Sequence, residues 1–180
     1  MQITEGQNKA AGSIVDLINN TIGNNGEIHA ATAISACGRL AGSFMLRSFN
    51  LKMDNISPGN VMLSEQANEK GPILINVLGA VLNDFGVIPD PNKMNKATNE
   101  KSNLSFLETL ERLQDQAQAI MVQNDITQEQ MAYSCAMATG YFIKECQKDL
   151  PAETGFHTGV YAFIEGSKTW PPNYSEPELK

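Results

Sequence analysis

The sequence predicts an all-α protein, a single-domain helical bundle of six or seven helices within 180 residues. Three observations support this fold class. Apolar residues recur at three- and four-residue spacing through most of the chain, and no segment alternates apolar and polar residues as a half-buried strand does. Ser/Thr-x-x-Glu/Gln sequences also mark helix starts. A chain of this length buries roughly 70% of the surface that its unfolded form exposes, so a single core suffices.

Apolar residues at helical spacing predict the first helix over residues 7–22, and the glycine- and asparagine-rich segment 23–26 ends it. The second helix runs over 29–48. The third spans 57–86 and starts with a Ser-Pro pair. It is kinked or broken at Gly71-Pro72, because proline lacks the backbone donor that a helix interior needs.

The second half of the chain begins with a polar segment, 88–102, which contains two prolines and shows no periodicity. We expect a long loop there, either disordered or serving as a mobile lid. Capping boxes at Ser105 and Thr127 predict the starts of two further helices. Pro151 starts the last predicted helix.

Two helices share a short internal repeat. The pattern Cys-x-x-x-x-Gly-x-Phe occurs at 37–44 and again at 135–142, each time on the second helix of a set of three. This is compatible with two related three-helix halves. Because the repeat is short and the flanking helices do not align, chance similarity between two buried helices is the favoured interpretation.

Composition narrows the classes of function. The chain carries a net charge of −7, has only three arginines and contains no basic run that could neutralise a row of phosphates. We therefore expect no nucleic acid and, for the same electrostatic reason, no membrane among its partners. The apolar stretch that comes nearest to a membrane span is interrupted by Arg39.

The three cysteines, Cys37, Cys135 and Cys146, are far apart and set among apolar helical residues. Free, buried thiols in a reducing compartment are the simplest interpretation. No basic segment followed by an apolar one occurs near residue 1, so no signal peptide is visible. On these grounds we expect a cytoplasmic protein.

The helix over 29–48 has little side-chain bulk, since ten of the fourteen residues from 30 to 43 are Ala, Gly, Ser or Cys. Glycine inside a helix costs about 1 kcal/mol relative to alanine, so Gly38 and Gly42 require a gain in packing. Their four-residue spacing lets another backbone approach closely. The neighbour is either a helix of the same core, which we favour, or a second copy across a dimer seam.

A polar arc on the same helix combines small hydroxyl side chains with two arginines. It consists of Thr32, Ser35, Arg39, Ser43 and Arg47. If this arc lines a cleft, it suits an anionic ligand, because arginine presents a planar fork to carboxylates and phosphates. If it faces solvent, the arginines form ion pairs with nearby glutamates, and this second interpretation is favoured.

The sequence contains no motif that carries catalysis or binds a cofactor. It has no phosphate-binding glycine loop, dinucleotide fingerprint, nucleophile elbow or metalloprotease motif. Its two histidines, His29 and His157, lie near glutamates but lack the spacing of a helical di-metal site. We therefore expect no catalytic residue, no metal and no cofactor.

Prolines separate an all-α domain, residues 1–168, from a C-terminal tail, residues 169–180. The tail contains Trp170, the only tryptophan of the chain, and Tyr174. Two interpretations remain open. The aromatic residues either anchor the tail to its own domain or to a partner, or they belong to a disordered tail.

Two functional hypotheses follow. The leading one is a non-enzymatic helical protein that acts through self-association, as a homodimer, or through another protein. The alternative is a small-molecule-binding protein or enzyme that holds an anion near Arg39 and Arg47 under the 88–102 loop.

Overall fold

The computed structural model describes residues 2–24, 27–52 and 55–175, which form seven α-helices and no strand. The helices are α1 (Glu5–Ile22), α2 (Ala30–Ser48), α3 (Glu65–Asp84), α4 (Pro91–Met94), α5 (Phe106–Gln123), α6 (Gln128–Glu145) and α7 (Ala152–Lys168). The predicted all-α class is confirmed. None of the described helices combines the length and the apolar character needed to cross a membrane.

Capping boxes set the starts of three helices. The two predicted at Ser105 and Thr127 are present in full, with each hydroxyl accepting from a backbone N–H three residues on. A third box, between Thr4 and Gln7, starts α1 two residues earlier than its apolar pattern indicates. Because a box satisfies backbone donors that have no partner within the helix, it fixes the first turn locally.

The predicted start of the third helix at residue 57 is wrong, because α3 begins at Glu65 after the N-cap Ser64. Gly59 has a φ of +88°, which ends any helix at this point. The segment around it is extended and pairs with the tail through the bridge between Val61 and Thr169. A distant part of the chain therefore overrides the local Ser-Pro signal.

Two other local expectations are tested in part. α3 continues through Pro72, so the break expected at Gly71-Pro72 is wrong, and the kink stays a prediction. The loop expected over 88–102 is present, with the single-turn helix α4 inside it, and it lies against α7; its role as a mobile lid stays a prediction. The backbone N–H of Asp90 donates to Glu153 Oε1 (2.9 Å), and that of Glu100 donates to Thr158 Oγ1 (2.8 Å).

The core is built around α2, in which every residue from 30 to 46 is buried. It packs most extensively against α7 and α6. A helix that other helices surround has no solvent-facing side, so all of its side chains must fit within the core. The small side chains of α2 make this possible. The structure therefore puts the small-residue helix at the centre of the bundle.

The two repeat segments occupy related positions. α2 contacts α7 more extensively than α3, whereas α6 contacts α3 more extensively than α7. If α1–α3 and α5–α7 are taken as the two sets, the second helix of each set packs mainly on the third helix of the other set. The glycines of the repeat lie at these same contacts, since Gly42 abuts α7 at Phe163 and Gly140 abuts α3 at Val81. Duplication of a three-helix unit stays a prediction that this arrangement accommodates.

Candidate functional site

Four of the five residues in the polar arc are buried in the molecule. Thr32, Ser35, Arg39 and Ser43 are between 2% and 7% exposed. The solvent-facing interpretation is wrong for these four, because α5, α7 and the loop before α5 cover this side of α2. Thr32 illustrates the contact, since its Oγ1 accepts from the backbone N–H of Asn103 at 2.9 Å.

Arg39 ties three parts of the chain together. Its Nε donates to Glu165 Oε2 on α7 at 2.6 Å. Its Nη1 donates to the carbonyl of Leu104 at 2.6 Å and to Thr109 Oγ1 on α5 at 3.0 Å. A cleft of about 440 Å³ reaches Arg39 beneath residues 99–105. An anion entering that cleft would compete with the carboxylate already paired to the guanidinium.

Arg47 has a different set of partners, all of them neutral. Its Nη2 donates to Gln114 Oε1 at 2.8 Å and to the carbonyl of Pro172 at 2.6 Å. Its guanidinium carbon lies 4.0 Å from the centroid of the Tyr174 ring. Burial lowers the pKa of Arg47, while the neighbouring Tyr174 and Asp115 oppose the change. Arg47 thus holds the tail against α5.

Trp170 fastens the tail at a second place. Its backbone N–H donates to the carbonyl of Asn60 at 2.8 Å, and its carbonyl accepts from the N–H of Gly59 at 2.9 Å. Of the tail, residues 169–175 lie against the helical body, and residues 176–180 lie outside the described residues. The described part of the tail is therefore anchored to its own domain, and it brings Trp170 and Tyr174 to the end of α2.

Gly38 and Gly42 face α7 of the same chain. A Cβ added to Gly42 would lie 2.5 Å from the carbonyl oxygen of Phe163, and one added to Gly38 would lie 2.6 Å from Cβ of Ala162. The partner helix contributes its own glycine, since a Cβ on Gly166 would lie 2.5 Å from the Arg39 carbonyl. This matching set of small residues on α7 was not predicted from the sequence.

An apolar ridge stands beside the tail, formed by Val61 and Leu63 and called here the 61–63 ridge. Val61 is 74% exposed and Leu63 is 86% exposed, whereas Met62 between them is 6% exposed. Alternating side chains of an extended segment point to opposite sides, so the two exposed residues share one side. The helix predicted over 57–86 includes Val61, so local periodicity does not reveal this ridge.

A groove of about 590 Å³ adjoins Val61 and is called here the α5–α7 groove. Its apolar wall is formed by Leu107, Tyr161 and Ile164. Tyr161 is 54% exposed and Ile164 is 49% exposed. Ridge and groove together form one apolar face, which extends along the C-terminal half of α7.

A cleft of about 820 Å³ lies at the start of α2, and its lining includes acidic side chains. It contains Glu145, Asp149 and His29, whose Nδ1 lies 2.8 Å from Thr32 Oγ1. No group of three or more His, Cys, Asp or Glu side chains in the described ranges is placed to hold a metal ion. The acidic charge of this cleft would favour cations, but no geometry there selects one.

The described cysteines are not activated as nucleophiles. Burial raises the pKa of Cys37 and Cys135, so both thiols stay protonated near neutral pH. Burial, together with Asp149 and Glu145, also raises the pKa of Cys146. These thiols therefore act as small apolar side chains in the core.

The described residues thus present an apolar face, an acidic cleft and, between the end of α2 and the tail, a small cleft lined by Arg47 and Trp170. Comparison of the chain with known protein families, characterised proteins and solved structures finds no match. The geometry of these surfaces is therefore the basis for any functional inference.

Proposed function

We propose that the protein is a non-enzymatic helical module that binds a second copy of itself through the 61–63 ridge and the α5–α7 groove. The observation that carries this proposal is the exposure of Val61 and Leu63, 74% and 86%, on a segment whose backbone is paired to the tail. Burying a valine or leucine side chain contributes about 1.5–3 kcal/mol. Contiguous exposed apolar surface of this kind marks interaction sites.

The shape of this face suits a second copy. A ridge lies directly beside a groove, so a two-fold axis between them lets the ridge of each copy enter the groove of the other. Glu165 and Lys168 also line the groove and carry opposite charges. Because Glu165 Oε2 already accepts from Arg39, only its Oε1 is open to Lys168 of a second copy, so this ion pair adds little to the apolar contact.

The absence of an enzymatic role is proposed from how the polar side chains are used. Arg39 and Thr109 hold helices together, and the buried thiols of Cys37 and Cys135 are not reactive. A cytoplasmic location is proposed from the three free, buried cysteines. The alternative places an anion near Arg39 and Arg47 under the 88–102 loop. The cleft beneath this loop reaches Arg39 and shares Ser105, Tyr161 and Glu165 with the α5–α7 groove. The cleft that Arg47 lines shares no residue with the groove, so an anion bound there leaves the proposed interface free.

Size-exclusion chromatography with light scattering tests the proposal. We expect the wild type at about 100 μM to have twice the monomer mass and Val61→Glu to be a monomer, because a buried charge in the seam is costly. Val122→Glu is the matched control. The exposed fraction of Val122, 68%, is similar to that of Val61, but Val122 lies at the opposite end of α5 from the groove.

The control variant should remain a dimer. A wild-type protein that stays monomeric up to about 500 μM would exclude self-association in this concentration range. Equal loss of dimer in Val61→Glu and Val122→Glu would exclude the ridge as the interface.

A further inference from the structure

A cleft of about 240 Å³ lies between the end of α2, the start of α6 and the tail. Its lining includes Arg47, Asn50, Gln128, Trp170 and Tyr174. The cleft therefore combines a cation, amide groups and two aromatic rings. Pockets for drug-sized ligands begin at about 300 Å³, so this cleft suits a smaller molecule.

Two atoms in this cleft lack hydrogen-bond partners. Among the described residues, Gln128 Oε1 and the Tyr174 hydroxyl are the buried side-chain polar atoms without one, and both residues line the cleft. Gln128 lies near enough to lower the pKa of Tyr174, which burial raises, but the two side chains do not have hydrogen-bond geometry. Leaving a buried polar atom unpaired costs about 1–3 kcal/mol, so such atoms are rare without an occupant.

Arg47 supplies a positive charge at the same place. Its hydrogen bonds to described residues, with Gln114 and the Pro172 carbonyl, both use Nη2. Asp115 lies near enough to favour the charged guanidinium, but its carboxylate accepts from the backbone N–H of Ser175 at 3.1 Å. Nε and Nη1 of Arg47 make no hydrogen bond within the described part of the chain. The charge therefore remains available to an anion in the cleft.

We infer that this cleft binds a small hydroxycarboxylate. The carboxylate lies against the Arg47 guanidinium, which supplies both charge and N–H donors. A hydroxyl group both donates and accepts, so it meets the needs of Gln128 Oε1 and the Tyr174 hydroxyl. Trp170 forms an aromatic wall of the cleft. This site is independent of the proposed self-association.

Trp170 makes the test direct, since it is the only tryptophan in the chain and it lines the cleft. Its fluorescence is followed while the protein is titrated with malate, and with succinate, which lacks the hydroxyl. Sodium chloride keeps the ionic strength constant. We expect saturable binding of malate and at least about tenfold weaker binding of succinate, because succinate leaves the cleft oxygens unpaired.

Two variants locate the site. Tyr174→Phe removes one hydroxyl and keeps the ring over Arg47, so we expect it to weaken malate binding about tenfold without weakening succinate binding. Tyr141→Phe is the matched control, because Tyr141 is 37% exposed on α6 beside the acidic cleft and lines neither this cleft nor the α5–α7 groove; it should bind both ligands as the wild type does.

Absence of a saturable signal up to about 10 mM malate would overturn the inference. Binding that does not distinguish malate from succinate, or that Tyr174→Phe leaves unchanged, would also overturn it. The monomeric Val61→Glu variant should still bind malate, so failure of the proposed self-association does not affect this test.

Discussion

At the residue scale, the close approach of α2 and α7 depends on glycines, which have a hydrogen atom in place of a side chain. Gly42 and Gly166 meet where any side chain would enter the backbone of the facing helix. Two helix-interior glycines cost about 1 kcal/mol each in propensity, and the close contact offsets that cost. The same residue type has no such role at Gly12 on α1, where an added Cβ would meet nothing within 4 Å.

This contrast predicts opposite effects for the same substitution. Gly42→Ala should lower the free energy of unfolding by about 1–3 kcal/mol, because its Cβ would overlap the Phe163 carbonyl and the Ser167 N–H. Gly12→Ala should raise it by about 0.5–1 kcal/mol, because alanine is the better helix former. Urea denaturation of both variants measures the difference. A stabilised Gly42→Ala variant would show that this contact is not tight in solution.

At the scale of secondary-structure elements, the sequence predicts those features that short-range hydrogen bonds determine. The capping boxes at Ser105 and Thr127 place two helix starts correctly, because their hydrogen bonds span three residues. The start of α3 depends on contact between residue 61 and residue 169, which no local pattern reveals. Likewise, the polar arc is visible in the sequence, but the partner of Arg39 is Glu165, 126 residues away.

The apolar face was missed for the same reason. Val61 fits the apolar spacing of a helix, so it falls within the helix predicted over 57–86. Only the pairing of its segment with the tail turns Val61 and Leu63 toward solvent. In physical terms, local hydrogen bonding and periodicity predict the helices, whereas the surfaces come from contacts between distant segments.

Two buried thiols, Cys37 on α2 and Cys135 on α6, predict that the free energy of unfolding depends on pH. In the unfolded chain, Cys37 and Cys135 ionise near pH 8.5. In the fold, burial raises the pKa of both thiols. Above about pH 8.5 the unfolded state therefore loses protons that the folded state retains, and the free energy of unfolding falls as pH rises.

The slope can reach about 1.4 kcal/mol per pH unit for each thiol. Urea denaturation at about pH 7.5 and about pH 9.5 measures the fall, and Cys37→Ala with Cys135→Ala should reduce it. Each substitution also leaves a cavity, which lowers stability at every pH. The quantity to compare between wild type and variant is therefore the fall in the free energy of unfolding between the two pH values. An unchanged pH dependence in the double variant would show that these thiols do not cause it.

At the scale of the whole molecule, the tail connects the two surfaces. Residues 168–170 pair with the segment that carries the 61–63 ridge, and Pro172 and Tyr174 contact Arg47 beside the small cleft. The tail therefore positions the ridge on one side and closes the cleft on the other. Because an exposed ridge on a fixed backbone loses little entropy when it docks, this arrangement favours association.

Hydrogen–deuterium exchange of the unaltered protein at about 1 μM and about 500 μM tests self-association most directly. We expect slower exchange of the backbone amides of residues 59–63 at the higher concentration, because the ridge is then covered by the α5–α7 groove of a second copy. The amide of Val122 and its neighbours should exchange equally at both concentrations. Exchange at residues 59–63 that does not depend on concentration would contradict the proposed interface.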